Sequence, residues 1–128
     1  MRRIPLALVL LVSVALAACG GGSTSSGGSS GGGGSSATAS SCPAGAVMVQ
    51  MKNIQFAPRA ATAKVGEKVC WTNEDDVQHD AVAKSGADFK SPLFGKGQTF
   101  TATVSKAGTV SYVCTVHPAM TATLTVKP

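Results

Sequence analysis

The sequence predicts an all-β domain over residues 42–128, a small sandwich of seven or eight short strands. Two observations carry this. Apolar residues alternate with polar ones at period two in several short runs, with Gly, Pro and Asn signals between them, and helical periodicity is hard to find. Val47, Val49 and Met51 form the first inward set, and Val69 with Trp71 forms another. Phe100, Ala102 and Val104 alternate with Thr99, Thr101 and Thr103. Val110, Tyr112 and Cys114 alternate with Thr109, Ser111 and Val113; Met120, Ala122, Leu124 and Val126 alternate with Thr121, Thr123 and Thr125. Threonine on the outward face suits a strand, because a β-branched side chain packs well on a pleated, half-exposed surface. Turns fit at Val65-Gly66-Glu67, Phe94-Gly95-Lys96-Gly97 and Lys106-Ala107-Gly108. The weakest stretch is Lys84 to Leu93, whose mixed polarity reads as loop with a short irregular strand.

The first third of the 128-residue chain has a different composition. Met1 to Ala18 reads as a secretory leader: Arg2 and Arg3 give the positive start, and Leu6 to Leu16 is apolar apart from Ser13. It is too short to span a bilayer comfortably. It ends in Leu16-Ala17-Ala18-Cys19, which resembles the bacterial lipoprotein signal. That resemblance implies cleavage before Cys19 and acylation of its thiol and new amino terminus, a stable anchor when more than one chain is attached. Gly20 to Ser41 holds nine Gly and nine Ser in 22 residues, so it buries too little to offset its ordering entropy and is expected to be a disordered linker. As a random coil it spans roughly 26 Å root-mean-square. The expected organisation is therefore leader 1–18, lipidated cysteine and linker 19–41, and domain 42–128.

The formal charge of +5 includes Arg2 and Arg3; the domain itself carries nine Lys and Arg against six Asp and Glu. This is a mild bias, without a basic run interleaved with aromatics, and it argues against a nucleic-acid surface.

Cys114-Thr115-Val116-His117-Pro118-Ala119-Met120 joins two inward-alternating runs, which places three soft or imidazole donors on one tight loop at a sandwich end. Cys114 continues the inward set of Val110 and Tyr112 and is shielded from water, while Pro118 stiffens the turn back to Met120. The domain has only one other histidine, His79, which follows the Trp71 strand in a polar turn. One thiolate, two imidazoles and a weak thioether form the donor set of a blue-copper electron-transfer site. Structural zinc takes four Cys or His ligands, and Met is a poor zinc donor. Taken singly, each of these residues has an ordinary packing or loop role; the joint spacing carries the reading.

With those residues in place, the stretch from Ala46 to Lys127 resembles the cupredoxin family, in its plastocyanin, amicyanin and halocyanin-like branch. The resemblance rests on Asn53-Ile54-Gln55-Phe56-Ala57-Pro58, on Val65-Gly66-Glu67-Lys68-Val69-Cys70-Trp71-Thr72-Asn73 leading to His79, and on Tyr112 to Met120. Two residues between His117 and Met120 look like the short amicyanin loop. The family implies a Greek-key sandwich of eight strands and one copper ion on His79, Cys114, His117 and Met120.

The sequence departs from the family in two places. Asp80 stands where similar proteins have Asn, Ser or Thr, a side chain that in the family ties the first ligand loop to the residue after the cysteine, here Thr115. An ionised Asp80 is expected to favour Cu(II) and lower the reduction potential. Cys70 occupies an outward strand position. If Cys19 carries lipid and Cys114 carries copper, Cys42 and Cys70 remain for each other, and the family topology sets the start of the first strand beside the third.

The resulting expectation is a membrane-tethered, extracytoplasmic carrier of single electrons, a monomer that meets a redox donor and a redox acceptor. The exit for the electron is the edge of His117, flanked by Pro118, Ala119, Phe56 and Pro58. The alternative is a copper-binding or buffering protein without redox turnover. An enzyme is not expected, because copper oxidases and reductases of this superfamily need further histidines and both are already used. A metal-free structural sandwich would fit the leader and linker equally well, so only the ligand set speaks against it.

Overall fold

The computed structural model describes residues 36–39 and 41–128; the leader, Cys19 and most of the linker lie outside the described residues. Among the described residues, nine strands follow in chain order: β1 (Ser36–Ala39), β2 (Val47–Lys52), β3 (Gln55–Ala57), β4 (Ala60–Lys64), β5 (Lys68–Asn73), β6 (Val82–Ser85), β7 (Thr99–Thr103), β8 (Gly108–Val113) and β9 (Thr121–Lys127). They form two sheets, ordered β1-β7-β5-β2-β3 and β4-β9-β8-β6. Two pairs, β2 with β5 and β4 with β9, are parallel, and the rest are antiparallel. This is the all-β sandwich the period-two runs predict, with β1 added at the edge beside β7. Ser36–Ala39 falls within the stretch read as linker, at the point where Ala37-Thr38-Ala39 replaces the Gly/Ser run.

The inward sets meet as expected. Val49, Met51, Val69, Trp71, Phe100 and Ala102 from one sheet pack against Val110, Tyr112, Ala122, Leu124 and Val126 from the other, all buried. Trp71 sits at the centre, its ring 4.8 Å from Phe89, 5.5 Å from Phe100 and 5.6 Å from Tyr112. Truncating such a side chain to Ala costs about 3 to 5 kcal/mol. Burial pushes the Tyr112 phenol up to about 12, so it stays neutral in this apolar interior.

Four details refine or correct the sequence expectations. Thr99 is buried although it belongs to an alternating threonine set, whose other members on β7, Thr101 and Thr103, are half-buried and exposed. Cys70 is likewise buried on its outward face, since it is bonded to Cys42 with an S–S distance of 1.99 Å. The weak stretch after β6 is anchored by a few inward residues: Phe89 stacks on Trp71, and the Ser91 hydroxyl accepts the Ala81 N–H at 2.8 Å. Phe56, expected beside the electron exit, is instead core, its ring 4.8 Å from that of Tyr112.

Candidate metal centre

β5 ends at Asn73, and its buried side chain shapes the loop that follows. The Asn73 amide donates to the carbonyls of Val77 (2.8 Å) and Phe94 (2.9 Å), and its carbonyl oxygen accepts the Asp75 N–H (2.8 Å). The loop therefore closes back on itself and delivers His79 to the sandwich end. There His79 is paired to Phe94 through both backbone groups, at 3.2 and 2.9 Å. Its side chain is fully buried.

The ring of His79 is oriented by Asp75, whose Oδ2 lies 2.9 Å from Nε2. A carboxylate there favours the tautomer with the proton on Nε2, leaving the Nδ1 lone pair free to face inward. Asp75 is itself held by the β2–β3 hairpin, where Asn53 and Ile54 donate their backbone N–H groups at 2.7 and 2.9 Å. Both hairpin residues have positive φ, 54° and 56°. That conformation is uncommon for a β-branched residue, and the carboxylate accepts the two amides it exposes. Burial alone would raise the Asp75 carboxyl; hydrogen bonds from the Ile54 amide, the His79 ring and the Asn53 amide outweigh it and hold the group below the ordinary carboxylate value.

The second contribution comes from the loop between β8 and β9. Cys114 is fully buried in phase with Val110 and Tyr112. The loop is closed by two backbone bonds, Cys114 N–H to Met120 C=O (2.9 Å) and Met120 N–H to His117 C=O (2.8 Å). Met120 is buried at its end and His117 is half-buried. Asp80, also buried, accepts the Thr115 N–H at 2.6 Å and the Thr115 hydroxyl with its other oxygen. It thus ties the His79 segment to the residue after Cys114.

The two loops bring three donor atoms together. Nδ1 of His79 and Nδ1 of His117 are 3.1 Å apart, and the Cys114 Sγ lies 3.7 and 3.5 Å from them. The circle through these atoms has a radius of about 2.0 Å, close to the lengths at which imidazole nitrogen and thiolate bind a divalent metal. Three lone pairs aimed at one point repel each other, and a cation at that point satisfies all three. The chemistry of the set, a thiolate and two imidazoles with a buried thioether on the same loop, fits copper.

Of the residues singled out in the sequence, His79, Cys114 and His117 converge, Met120 closes their loop, Asp80 meets Thr115, and Cys42 bonds Cys70. Cys19 lies outside the described residues. Sequence reasoning passed over Asp75 and the side-chain role of Asn73. The Asn-Glu-Asp-Asp run after a strand reads as a solvated turn, and only the fold shows that one of its carboxylates faces a histidine. Its spacing of four residues before His79 was the available signal.

Comparison with known proteins agrees. Residues 43–127 match the family described as copper binding proteins of the plastocyanin/azurin family. Amicyanin-alpha of Methylorubrum extorquens is 33% identical over 82 residues, 61% of this chain and 69% of that protein. Amicyanin of Paracoccus denitrificans is 28% identical over 114 residues, 86% of this chain and 87% of that protein. A solved structure of an amicyanin variant in its Cu(I) form superimposes with a TM-score of 0.66 at 30% identity, covering 72% of this chain and 92% of its own. By fold, donor set and sequence match, the chain belongs to the plastocyanin/azurin family of copper binding proteins and takes one copper ion as its cofactor.

Proposed function

We propose that the protein is a blue-copper electron carrier, with His79, Cys114, His117 and Met120 as the copper ligands, held by a lipid on Cys19 to the extracytoplasmic face of a bacterial membrane. The observation that carries the reading is the triangle of two Nδ1 atoms and one Sγ, with one imidazole locked inside the wall and the other reaching the surface. Bound there, copper supplies the Cu(II)/Cu(I) couple. The residues supply the rest. Burial of Cys114 keeps water and oxidants from the thiolate. Asp75, Asn73 and the Phe94 bridge hold His79 in one orientation, so little rearrangement accompanies electron gain or loss.

His117 is the exit for the electron. Pro118 and Ala119 adjoin it in sequence, and the half-exposed side chains of Ile54, Val77, Leu93 and Val116 all lie on segments that border the site. A small apolar surface of that kind suits brief encounters with a redox donor and an acceptor, since a carrier must release each partner quickly.

The leader and the Leu-Ala-Ala-Cys ending support export and acylation at Cys19. Mass spectrometry of protein extracted from membranes tests this: the expected amino terminus is a diacylated or triacylated Cys19, and an unmodified Cys19 contradicts it. The rival reading, copper buffering, is separated by cycling. A carrier passes through repeated ascorbate reduction and ferricyanide oxidation with its copper retained; a buffering protein loses Cu(I) to a chelator in the first reduction.

A further inference from the structure

Positive charge is matched by carboxylates at the metal end of the domain, where Lys52, Lys96 and Arg59 lie, and is in excess at the opposite end. Glu74, Asp75, Asp76 and Asp80 cluster around the metal centre, and the lysine–carboxylate ion pairs among the described residues lie there: Lys52 with Glu74 and Lys96 with Asp76. The opposite end is basic. Backbone bonds stitch the β4–β5 turn to the end of β9 and to the β7–β8 turn: Val65 N–H to Lys127 C=O (2.8 Å), Gly66 N–H to Val104 C=O (2.7 Å) and Val104 N–H to Glu67 C=O (3.0 Å). In the β4–β9 register Lys64 pairs directly with Lys127. These constraints gather Lys64, Lys68, Lys106 and Lys127 at one end, all exposed and none in an ion pair among the described residues. Glu67 turns its carboxylate to the Lys64 backbone N–H at 2.8 Å, and Asp88, Lys84 and Lys106 all line an adjoining cleft. At the tip between the lysines stands Val65, 44% exposed.

The path of the chain points the same way. β1 runs antiparallel to β7, with Ser36 opposite Thr101 and Ala39 opposite Thr99. β7 runs from Gln98, bonded to Asn73 beside the metal centre, towards Val104, bonded to Gly66 at the basic end. The chain therefore enters β1 from the side of the lysines.

We propose that this basic end is a membrane-contact surface, in which Lys64, Lys68, Lys106 and Lys127 surround Val65 and engage the headgroups of anionic phospholipids, so that the copper end faces away from the bilayer. The proposal extends the tether reading of Cys19. Ammonium groups near an anionic leaflet are attracted within a Debye length, and an apolar tip among them enters the headgroup boundary. Partners would accordingly meet the copper end from the aqueous side.

The test uses the full chain as the cell produces it, mixed with vesicles of phosphatidylcholine alone or with an equal part of phosphatidylglycerol. Lysines are labelled with an amine-reactive ester, and each site is read by mass spectrometry. On the anionic vesicles, labelling of Lys64, Lys68, Lys106 and Lys127 is expected to fall about fivefold relative to the neutral ones, with Lys52 and Lys96 unchanged. Salt at about 0.5 M restores it. The K64Q/K68Q/K106Q/K127Q variant, altered only at exposed positions, is expected to keep its copper spectrum and to lose the salt-sensitive difference at Lys84, which borders the same end. Equal labelling on both vesicle types, or protection of Lys52 and Lys96 instead, overturns the proposal. Failure of the tether is read separately, as protein that does not float with neutral vesicles; the labelling pattern on anionic vesicles still decides the surface.

Discussion

The two histidines of the metal centre face the same point from opposite structural circumstances. His79 is fully buried, its backbone paired to Phe94 and its Nε2 bonded to Asp75, which two hairpin amides hold in turn. His117 is half-buried on a seven-residue loop, and its Nε2 has no protein partner among the described residues. The contrast teaches a division of labour. One imidazole belongs to the wall and fixes the geometry; the other is a door through which the centre meets the outside.

The largest effect comes from removing each ring in turn. His117→Gly is expected to lose its blue absorption and recover most of it when imidazole is added, because the opening leads to solvent. His79→Gly is expected to lose copper without rescue, since the space it leaves is sealed by Phe94 and Asp75. Titrating both variants with imidazole under visible absorption checks this, and equal rescue would erase the distinction. Next comes Asp75→Asn, which keeps the shape but removes the charge behind His79. Loss of such a partner weakens metal binding about 10- to 100-fold. Because a negative charge favours Cu(II) over Cu(I), its removal is expected to raise the reduction potential; if that weakening falls on Cu(II) alone, the rise is about 59 to 120 mV by potentiometry.

Asp80→Asn tests the link between the two loops. It retains an acceptor for Thr115 and loses the charge, so a rise of less than about 59 mV is expected. An unchanged midpoint would show that Asp80 acts only as a tie. The smallest effect at copper is expected from Cys42→Ala with Cys70→Ala. Their bond closes a loop with a sequence separation of 28, and its loss should cost about 3 to 4 kcal/mol of stability. Thermal unfolding should register that loss while the absorption spectrum stays the same, since neither residue touches the metal centre.

Much of this was legible in the chain. The inward sets from Val47 to Val126 name the core because period two is a direct projection of the pleat. The Cys114 to Met120 spacing names most of the centre because one short loop carries three donors. What was not legible depends on contacts between distant segments. Asp75 looked like part of a solvated turn until the β2–β3 hairpin folded over it. Phe56 looked like a surface residue beside Pro58 but packs on Tyr112, because β3 pairs with β2 and turns that side chain inward. The lysines at the basic end are scattered from Lys64 to Lys127 and form a group only after four strands have closed.

The measurement that bears most directly on the account is the visible spectrum of the copper-loaded protein and of its Cys114→Ser variant, with copper counted in each. One copper per chain is expected, with an intense thiolate-to-copper band that bleaches with ascorbate, returns on oxidation and is absent from the variant. A colourless copper-loaded protein, or a band that survives in Cys114→Ser, would contradict it.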